Sequence, residues 1–281
     1  MIKIPFVKMH GLGNNYIYVD TTKYELKEEK LSDLAIKVSN KNTGIGSDGL
    51  ILICPSDVAE VKMRIFNNDG SEGKNCGNGL RCVARYCYDN QLVNDKKFAI
   101  ETLGGIVMAE VEHDSVTINM GKPILQREFI PMTGDKLAKV INEDLDFGEF
   151  IMKGTAVSMG NPHIVFIVDN AELVNVEEIG PKIEKHSMFP EGVNVEFISV
   201  ISESTIRFKV WERGSGITQA CGTGACAATV TAILNKLVDQ DHEVTVRLDG
   251  GDLYISWDRT ANVWMRGPAE VICTGEYNYI E

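Results

Sequence analysis

With 281 residues, 44% of them hydrophobic, the chain is long enough for two domains that each bury a core. Its net charge of −12, from 28 Lys and Arg against 40 Asp and Glu, argues against a nucleic-acid partner, because such partners select basic surfaces. No apolar stretch approaches the ~18 residues of a membrane helix, and the first ten residues lack a signal peptide's apolar core and cleavage site. The expectation is a cytoplasmic protein with no membrane partner.

In chain order, apolar and alternating runs predict strands at 16–19, 50–53, 61–66, 98–101, 106–111 and 116–120. Leu31, Leu34, Ala35 and Val38 keep helical spacing and predict a surface helix over 28–39. After residue 150 the same style returns, at 155–158, 163–168, 196–200, 206–211, 244–248, 253–257 and 263–266. Gly104-Gly105 and Asp249-Gly250-Gly251-Asp252 are hairpin signals, which favour antiparallel or mixed sheets.

The second half echoes the first. Cys76-Gly77-Asn78-Gly79 recurs as Cys221-Gly222-Thr223-Gly224, 145 residues on. Each copy follows an apolar run and a Gly-Ser pair, and each opens a segment that reads as helix. Gly13-Asn14 is echoed by Gly160-Asn161, Gly46-Ser47-Asp48 by Gly192-Val193-Asn194, and Gly121 before Pro123 by Gly267 before Pro268. Several matches in one order at nearly one offset indicate internal duplication. From Ala225 to Leu234 nearly every residue is apolar or small, so this helix is expected to be buried on all sides. The fold class is therefore α+β (mixed α/β). Two pseudo-symmetric halves are expected, each a curled mixed or antiparallel sheet around a central helix, with the active site in the cleft between them.

Gly44-Ile45-Gly46-Ser47-Asp48-Gly49 spells the dinucleotide pattern, but it leads into a strand rather than a helix, which excludes the phosphate-binding geometry. The seven cysteines form neither a Cys-x-x-Cys pair nor a Cys/His pattern of zinc spacing, so no metal and no disulfide framework is expected. Cys82, Cys87 and Cys226 lie within the helices and read as small core residues.

Cys76 and Cys221 are different. A helix N-terminus offers unpaired N–H groups and about half a positive charge, which should draw a thiol pKa downward. Two such ends facing one substrate form the minimum apparatus for inverting a carbon centre. One thiolate removes an α-proton, the other thiol returns one, and the amides receive the carboxylate. A cysteine hydrolase is the other option and needs a His base, yet no His is duplicated with the thiols. His163 stands beside Asn161 in the second echo, where a site role and a core role are both open. Asn14, Asn67, Asn161 and Asn194 sit at strand edges, and Glu212-Arg213 precedes the second thiol motif. Together these residues suit a second ammonium and carboxylate, with Arg213 as the bidentate fork.

Lys8-Met9-His10-Gly11-Leu12-Gly13-Asn14, Arg64-Ile65-Phe66-Asn67, Cys76-Gly77-Asn78-Gly79-Leu80-Arg81-Cys82, Ser158-Met159-Gly160-Asn161-Pro162-His163 and Glu212-Arg213-Gly214-Ser215-Gly216 through Cys221-Gly222-Thr223-Gly224-Ala225-Cys226 resemble diaminopimelate epimerase nearly end to end. The resemblance implies interconversion of LL- and meso-2,6-diaminopimelate, for lysine and peptidoglycan precursors, without pyridoxal phosphate, metal or other cofactor. It implies Cys76 and Cys221 as the acid/base thiols and Gly77, Asn78, Gly222 and Thr223 as the carboxylate cradle. It further implies Asn14, Asn67, Asn161, Asn194, Glu212 and Arg213 as substrate ligands, with His163 in support. Expected boundaries are 1–121 with 268–281 for the half carrying Cys76, and 122–267 for the half carrying Cys221. A homodimer is the expected assembly. This chain departs from some family members by Gly49 in place of Gln and Thr223 in place of Ser. Proline and hydroxyproline racemases share the paired cysteines, so the cradle alone leaves the substrate open. Glu212 and Arg213 favour a substrate with a distal charged end. A phenazine-type isomerase lacking one thiol, or a non-catalytic binder, is disfavoured by the presence of both.

Overall fold

The apolar runs of the sequence form strands in two units, Met1–Asn119 with Arg266–Glu281, and Met120–Met265. The computed structural model describes residues 2–74 and 76–279. In the first unit, β1 (Ile2–Gly11) and β2 (Asn14–Asp20) lead to α1 (Leu31–Ser39). β3 (Gly49–Cys54), β4 (Val61–Asn67) and the short β5 (Glu72–Gly73) precede α2 (Gly77–Asp89), and β6 (Lys97–Thr102), β7 (Gly105–Val111) and β8 (Val116–Asn119) follow it.

The second unit repeats this plan. β9 (Glu143–Asp146), β10 (Ile151–Ser158) and β11 (Pro162–Ile167) lead to α3 (Val176–Glu184). β12 (Asn194–Ser202), β13 (Thr205–Glu212) and the short β14 (Gly216–Ile217) precede α4 (Gly222–Leu234), and β15 (Val244–Leu248) and β16 (Gly251–Trp257) follow. β17 (Val263–Gly267) runs across the unit boundary, and β18 (Glu270–Tyr279) closes the first unit beside β1.

Strand pairing repeats as faithfully as element order. From β18 through β1, β2, β3, β4, β6 and β7 the pairs are antiparallel, antiparallel, parallel, antiparallel, parallel and antiparallel. From β9 through β10, β11, β12, β13, β15 and β16 the signs run the same way. Register matches too: Ile51 pairs with Ile65, and Glu196 with Val210, 145 residues on. Ile17 opposes Leu50 as Ile164 opposes Val195, so Tyr16 corresponds to His163 and Ile51 to Glu196. Both hairpin signals hold, with Gly105 at φ 118° and Gly251 at φ 130°, a region where side chains are strained.

Each unit wraps its sheet around its helix. α2 packs on β1 and β2 and also on β7 and β8, strands from opposite ends of one ladder, so the sheet curls around it. Leu80, Val83, Ala84 and Cys87 are fully buried on that helix. α4 packs on β10 to β13 and on β15 and β16, and every residue from Gly224 to Ala232 is buried. A helix walled on all sides by strands has no solvent face to keep polar, hence its uniform apolar sequence. The class expected from the sequence, mixed α/β with a central helix in each half, is the one observed.

Local differences have local causes. Glu28–Lys30 forms a 3-10 turn, and α1 begins only at Leu31, where the apolar spacing starts; its N-cap residue, Lys30, makes no side-chain capping bond. α3 contains Pro181, which reads as a breaker, yet the helix buries Val176, Gly180 and Ile183. β18 is exposed over nearly its whole length, so it carries no alternation to read.

Candidate active site

Both motif cysteines are helix caps. Cys76 has an extended backbone, φ −151° and ψ 110°, and its sulfur accepts the Gly79 N–H at 3.4 Å. Cys221, φ −113° and ψ 106°, accepts the Gly224 N–H at 3.3 Å. Ser, Thr, Asp or Asn oxygen normally takes this orphan donor. Here a thiol does. The glycine three residues on leaves its neighbours in place where any larger residue would push them aside. A Cβ on Gly79 would lie 2.6 Å from Ile51 Cδ1, and one on Gly224 would lie 2.9 Å from Glu196 Oε1 and 3.1 Å from Cys221 Sγ.

Around Cys76 the partners come from β2 and the turn before β3. The thiol donates to Asn14 Oδ1 at 3.7 Å, and the same oxygen accepts Asn78 Nδ2 at 3.3 Å. Asn14 Nδ2 donates to Asp48 Oδ2 at 2.9 Å, and that oxygen also accepts the Asn15 N–H at 2.8 Å. A carboxylate, a carboxamide and a thiol thus form one chain. Tyr16 packs beside it. Burial, then negative charge on Cys76 and Asp48, raises the Tyr16 hydroxyl well above the usual phenol range, so it stays protonated. Fully buried Arg81 braces the first helical turn, donating to Asn78 Oδ1 at 3.0 Å and to Pro268 O at 3.1 Å.

Around Cys221 the chain is longer. Thr223 Oγ1 lies 3.6 Å from the sulfur, and Asn161 Nδ2 donates to that hydroxyl at 3.3 Å. Asn161 Oδ1 is 2.9 Å from His163 Nε2, and His163 Nδ1 is 2.6 Å from Glu196 Oε1. His163 and Glu196 are fully buried side chains on neighbouring parallel strands. Glu212, at the end of β13, accepts from the Thr218 hydroxyl; burial is the main cause raising its carboxyl above the usual range.

The Cys221 thiol is pushed well above the ordinary thiol range, the reverse of the sequence expectation. Burial is the largest cause, and the Glu212 and Glu196 carboxyls add to it; the Thr223 and Gly224 hydrogen bonds act the other way. A helix end is worth ~0.3–1 kcal/mol to an anion, whereas burial of an ionisable group can shift its pKa by up to about 3–5 units. Cys221 therefore favours its protonated form.

The model of the family described as diaminopimelate epimerase matches residues 6–126 and 155–272. The chain belongs to the diaminopimelate epimerase family. A Bacillus pumilus protein named diaminopimelate epimerase is 60% identical over 282 residues, covering 99% of each chain. A Bacillus subtilis protein of the same name is 57% identical over 277 residues, covering 97% of this chain and 98% of its own. Among solved structures, a PhzF-family phenazine biosynthesis protein from Bacillus anthracis superposes with a TM-score of 0.73 at 19% identity, covering 99% of this chain and all of that one. A hydroxyproline epimerase from Agrobacterium vitis, with bound trans-4-hydroxy-L-proline, gives 0.66 at 14%, covering 98% and 92%. At such identities the structural likeness concerns the fold.

Within this diaminopimelate epimerase family chain, Asn14 and Asn78 stand beside Cys76, while Asn161, Thr223 and Glu212 stand around Cys221. Gly77 and Gly222 open the two helices. Asn194 is buried with both ends of its carboxamide engaged by backbone: Oδ1 accepts the Arg213 N–H at 2.9 Å and Nδ2 donates to Pro162 O at 2.8 Å. It ties β11 to the loop carrying Arg213. Arg213 is exposed, with Nη1 on Glu191 O at 3.0 Å, and Asn67 donates to Ser71 Oγ at 3.0 Å. Gly49 has no room for a side chain, since a Cβ would lie 2.2 Å from Phe66 O and 2.9 Å from the Tyr16 ring.

Tyr16, Asp48, Glu196 and Thr218 escaped the sequence reading. Tyr16 was signalled by its place opposite His163 in the echo, and Glu196 by an acid at an inward strand position. Among the described residues no group of three or more His, Cys, Asp or Glu side chains is placed to hold a metal ion, and no helix is long and apolar enough to cross a membrane.

Proposed function

We propose that this protein is a cofactor-independent epimerase interconverting LL- and meso-2,6-diaminopimelate, in lysine and peptidoglycan precursor biosynthesis. The observation that carries the reading is the matched pair of helix-capping thiols, Cys76 and Cys221, within a chain of this family. In one direction a thiolate takes the α-proton: the Cα–H bond breaks, an S–H bond forms, and the electron pair spreads into the substrate carboxylate. The other thiol then gives its proton to the opposite face, leaving a thiolate and an inverted centre. Carboxylate charge is met by the first-turn N–H groups at Gly77, Asn78, Gly222 and Thr223, donors already fixed in place. A resting proton on Cys221 suits the donor role, so Cys76 is the base in that direction; the roles reverse in the other.

Asn14, Asn67, Asn161, Asn194, Glu212 and Arg213 serve the substrate's polar ends in this reading, and Asn194 also holds the Arg213 loop. Glu212 and Arg213 favour a substrate with a distal amino acid end over a cyclic imino acid, which has nothing to place there. The protein works as a cytoplasmic homodimer in this account. Incubation with pure LL-diaminopimelate, with chiral separation of the products, tests the reading directly. Formation of the meso isomer is expected; turnover of proline or 4-hydroxyproline in its place would overturn the assignment.

A further inference from the structure

The acid–imidazole pair behind Asn161 belongs to one half only. At the corresponding places the first half has Tyr16 and Ile51. Both side chains of the His163–Glu196 pair have no solvent exposure, so its protons must be placed by hydrogen bonding alone. His163 Nε2 faces a carbonyl oxygen, Asn161 Oδ1 at 2.9 Å, and a nitrogen facing a carbonyl is a donor. Only an imidazolium would carry protons on both ring nitrogens; in a neutral imidazole, with its one N–H on Nε2, Nδ1 is the acceptor and the proton in its 2.6 Å contact sits on Glu196 Oε1.

We propose that Glu196 is a positioning residue: as a neutral carboxylic acid it donates to His163 Nδ1 and holds the imidazole in the Nε2–H tautomer that orients Asn161 toward Thr223 and the Cys221 thiol. The second oxygen, Oε2, is buried with no hydrogen-bond partner among the described residues. An orphan carbonyl oxygen costs far less than an orphan share of a carboxylate charge. Burial also moves the Glu196 carboxyl upward, toward its protonated form, with His163 opposing. The titratable groups facing the pair are Glu212 on β13 and Cys221 at the start of α4; any negative charge on either opposes ionisation of Glu196.

The tautomer matters because Asn161 has two unlike ends. With Nε2–H donating, the carboxamide oxygen turns to His163 and the NH₂ to Thr223 Oγ1, next to the sulfur. With the opposite tautomer the amide rotates, and an acceptor replaces the donor beside Thr223. The functional consequence rests on Cys221 being an acid/base group, as proposed above; the proton assignment does not.

Two variants and one spectrum test it. Glu196→Gln keeps the shape and offers an uncharged N–H to Nδ1, so kcat should stay within about 3-fold of the parent, whereas Glu196→Ile, the first half's residue, should lose about 10–100-fold. In ¹⁵N-histidine spectra of the unsubstituted protein, with His163 assigned by its loss in His163→Gln, Nε2 should carry a proton and Nδ1 none. Two protonated ring nitrogens, or a Glu196→Gln variant as damaged as Glu196→Ile, would overturn the proposal in favour of an imidazolium–carboxylate pair. The spectrum needs no turnover, so it decides the proton assignment even if diaminopimelate is not the substrate or the Ile variant fails to fold.

Discussion

Tyr16 and His163 hold the same place in the two halves, each following a strand-edge Asn: Asn14 accepts from the Cys76 thiol, and Asn161 reaches Cys221 through the Thr223 hydroxyl. The duplication preserved backbone, register and sulfur, and replaced the group that polarises each thiol's neighbour. On one side stands a phenol held protonated by burial, on the other an imidazole backed by an acid. The two thiols are therefore chemically unequal in a nearly symmetric frame.

The Tyr16 hydroxyl lies against Cys76, where it can donate to the thiolate form. Tyr16→Phe removes that donor and should lower kcat about 10-fold, the worth of one hydrogen bond to a charged group, with little change in KM. Steady-state kinetics from both stereoisomers check this; unchanged kcat in both directions would remove Tyr16 from the chemistry.

Alkylation reports the state of Cys221. Only the thiolate reacts, and burial, with Glu212 beside it, raises the pKa, so the protonated thiol persists to higher pH than usual. In a Cys76→Ala background, the iodoacetamide rate at Cys221 should remain low near neutrality and still be rising above the ordinary thiol pKa of ~8.5. Peptide mass spectrometry measures it. A plateau reached below that pH would show that the helix end outweighs burial.

Gly224 has no space for even a methyl group. A Cβ there sits 2.9 Å from Glu196 Oε1, 3.0 Å from Phe208 Cζ and 3.1 Å from Cys221 Sγ, so Gly224→Ala must shift Glu196 and crowd the other two. A stability loss of about 1–3 kcal/mol is expected, together with a larger loss of activity than Tm alone explains. Thermal unfolding beside kcat separates the two; a variant with parental Tm and activity would show that the packing relaxes freely.

Arg213 is exposed, with part of its fork engaged on Glu191 O. Arg213→Ala should raise KM for diaminopimelate about 10–100-fold while leaving the fold intact, because a charge-assisted contact is worth ~1.5–3 kcal/mol. Unchanged KM would dissociate Arg213 from the distal carboxylate.

Much of this was legible in the sequence because duplication prints itself twice. The thiol motifs, the hairpin glycines and the all-apolar α4 each follow from a local rule, and the structure places each as read. What escaped was set by the surroundings. β18 pairs along β1 while exposed, so its partner rather than its own pattern makes it a strand. The direction of the Cys221 shift depends first on burial beneath strands distant in sequence and then on Glu212 from β13, neither of which carries a local signature. The hold of the backbone on both ends of the Asn194 amide is likewise visible only in tertiary structure, because Pro162 and Arg213 lie far from it in sequence.

The decisive measurement is hydrogen exchange at carbon. With LL-diaminopimelate in D₂O, followed by mass spectrometry and chiral analysis, each epimerised centre should carry one deuterium, and Cys76→Ala and Cys221→Ala should each form no meso product. Inversion without deuterium, or full epimerase activity after loss of either sulfur, would contradict proton transfer by a pair of opposed thiols.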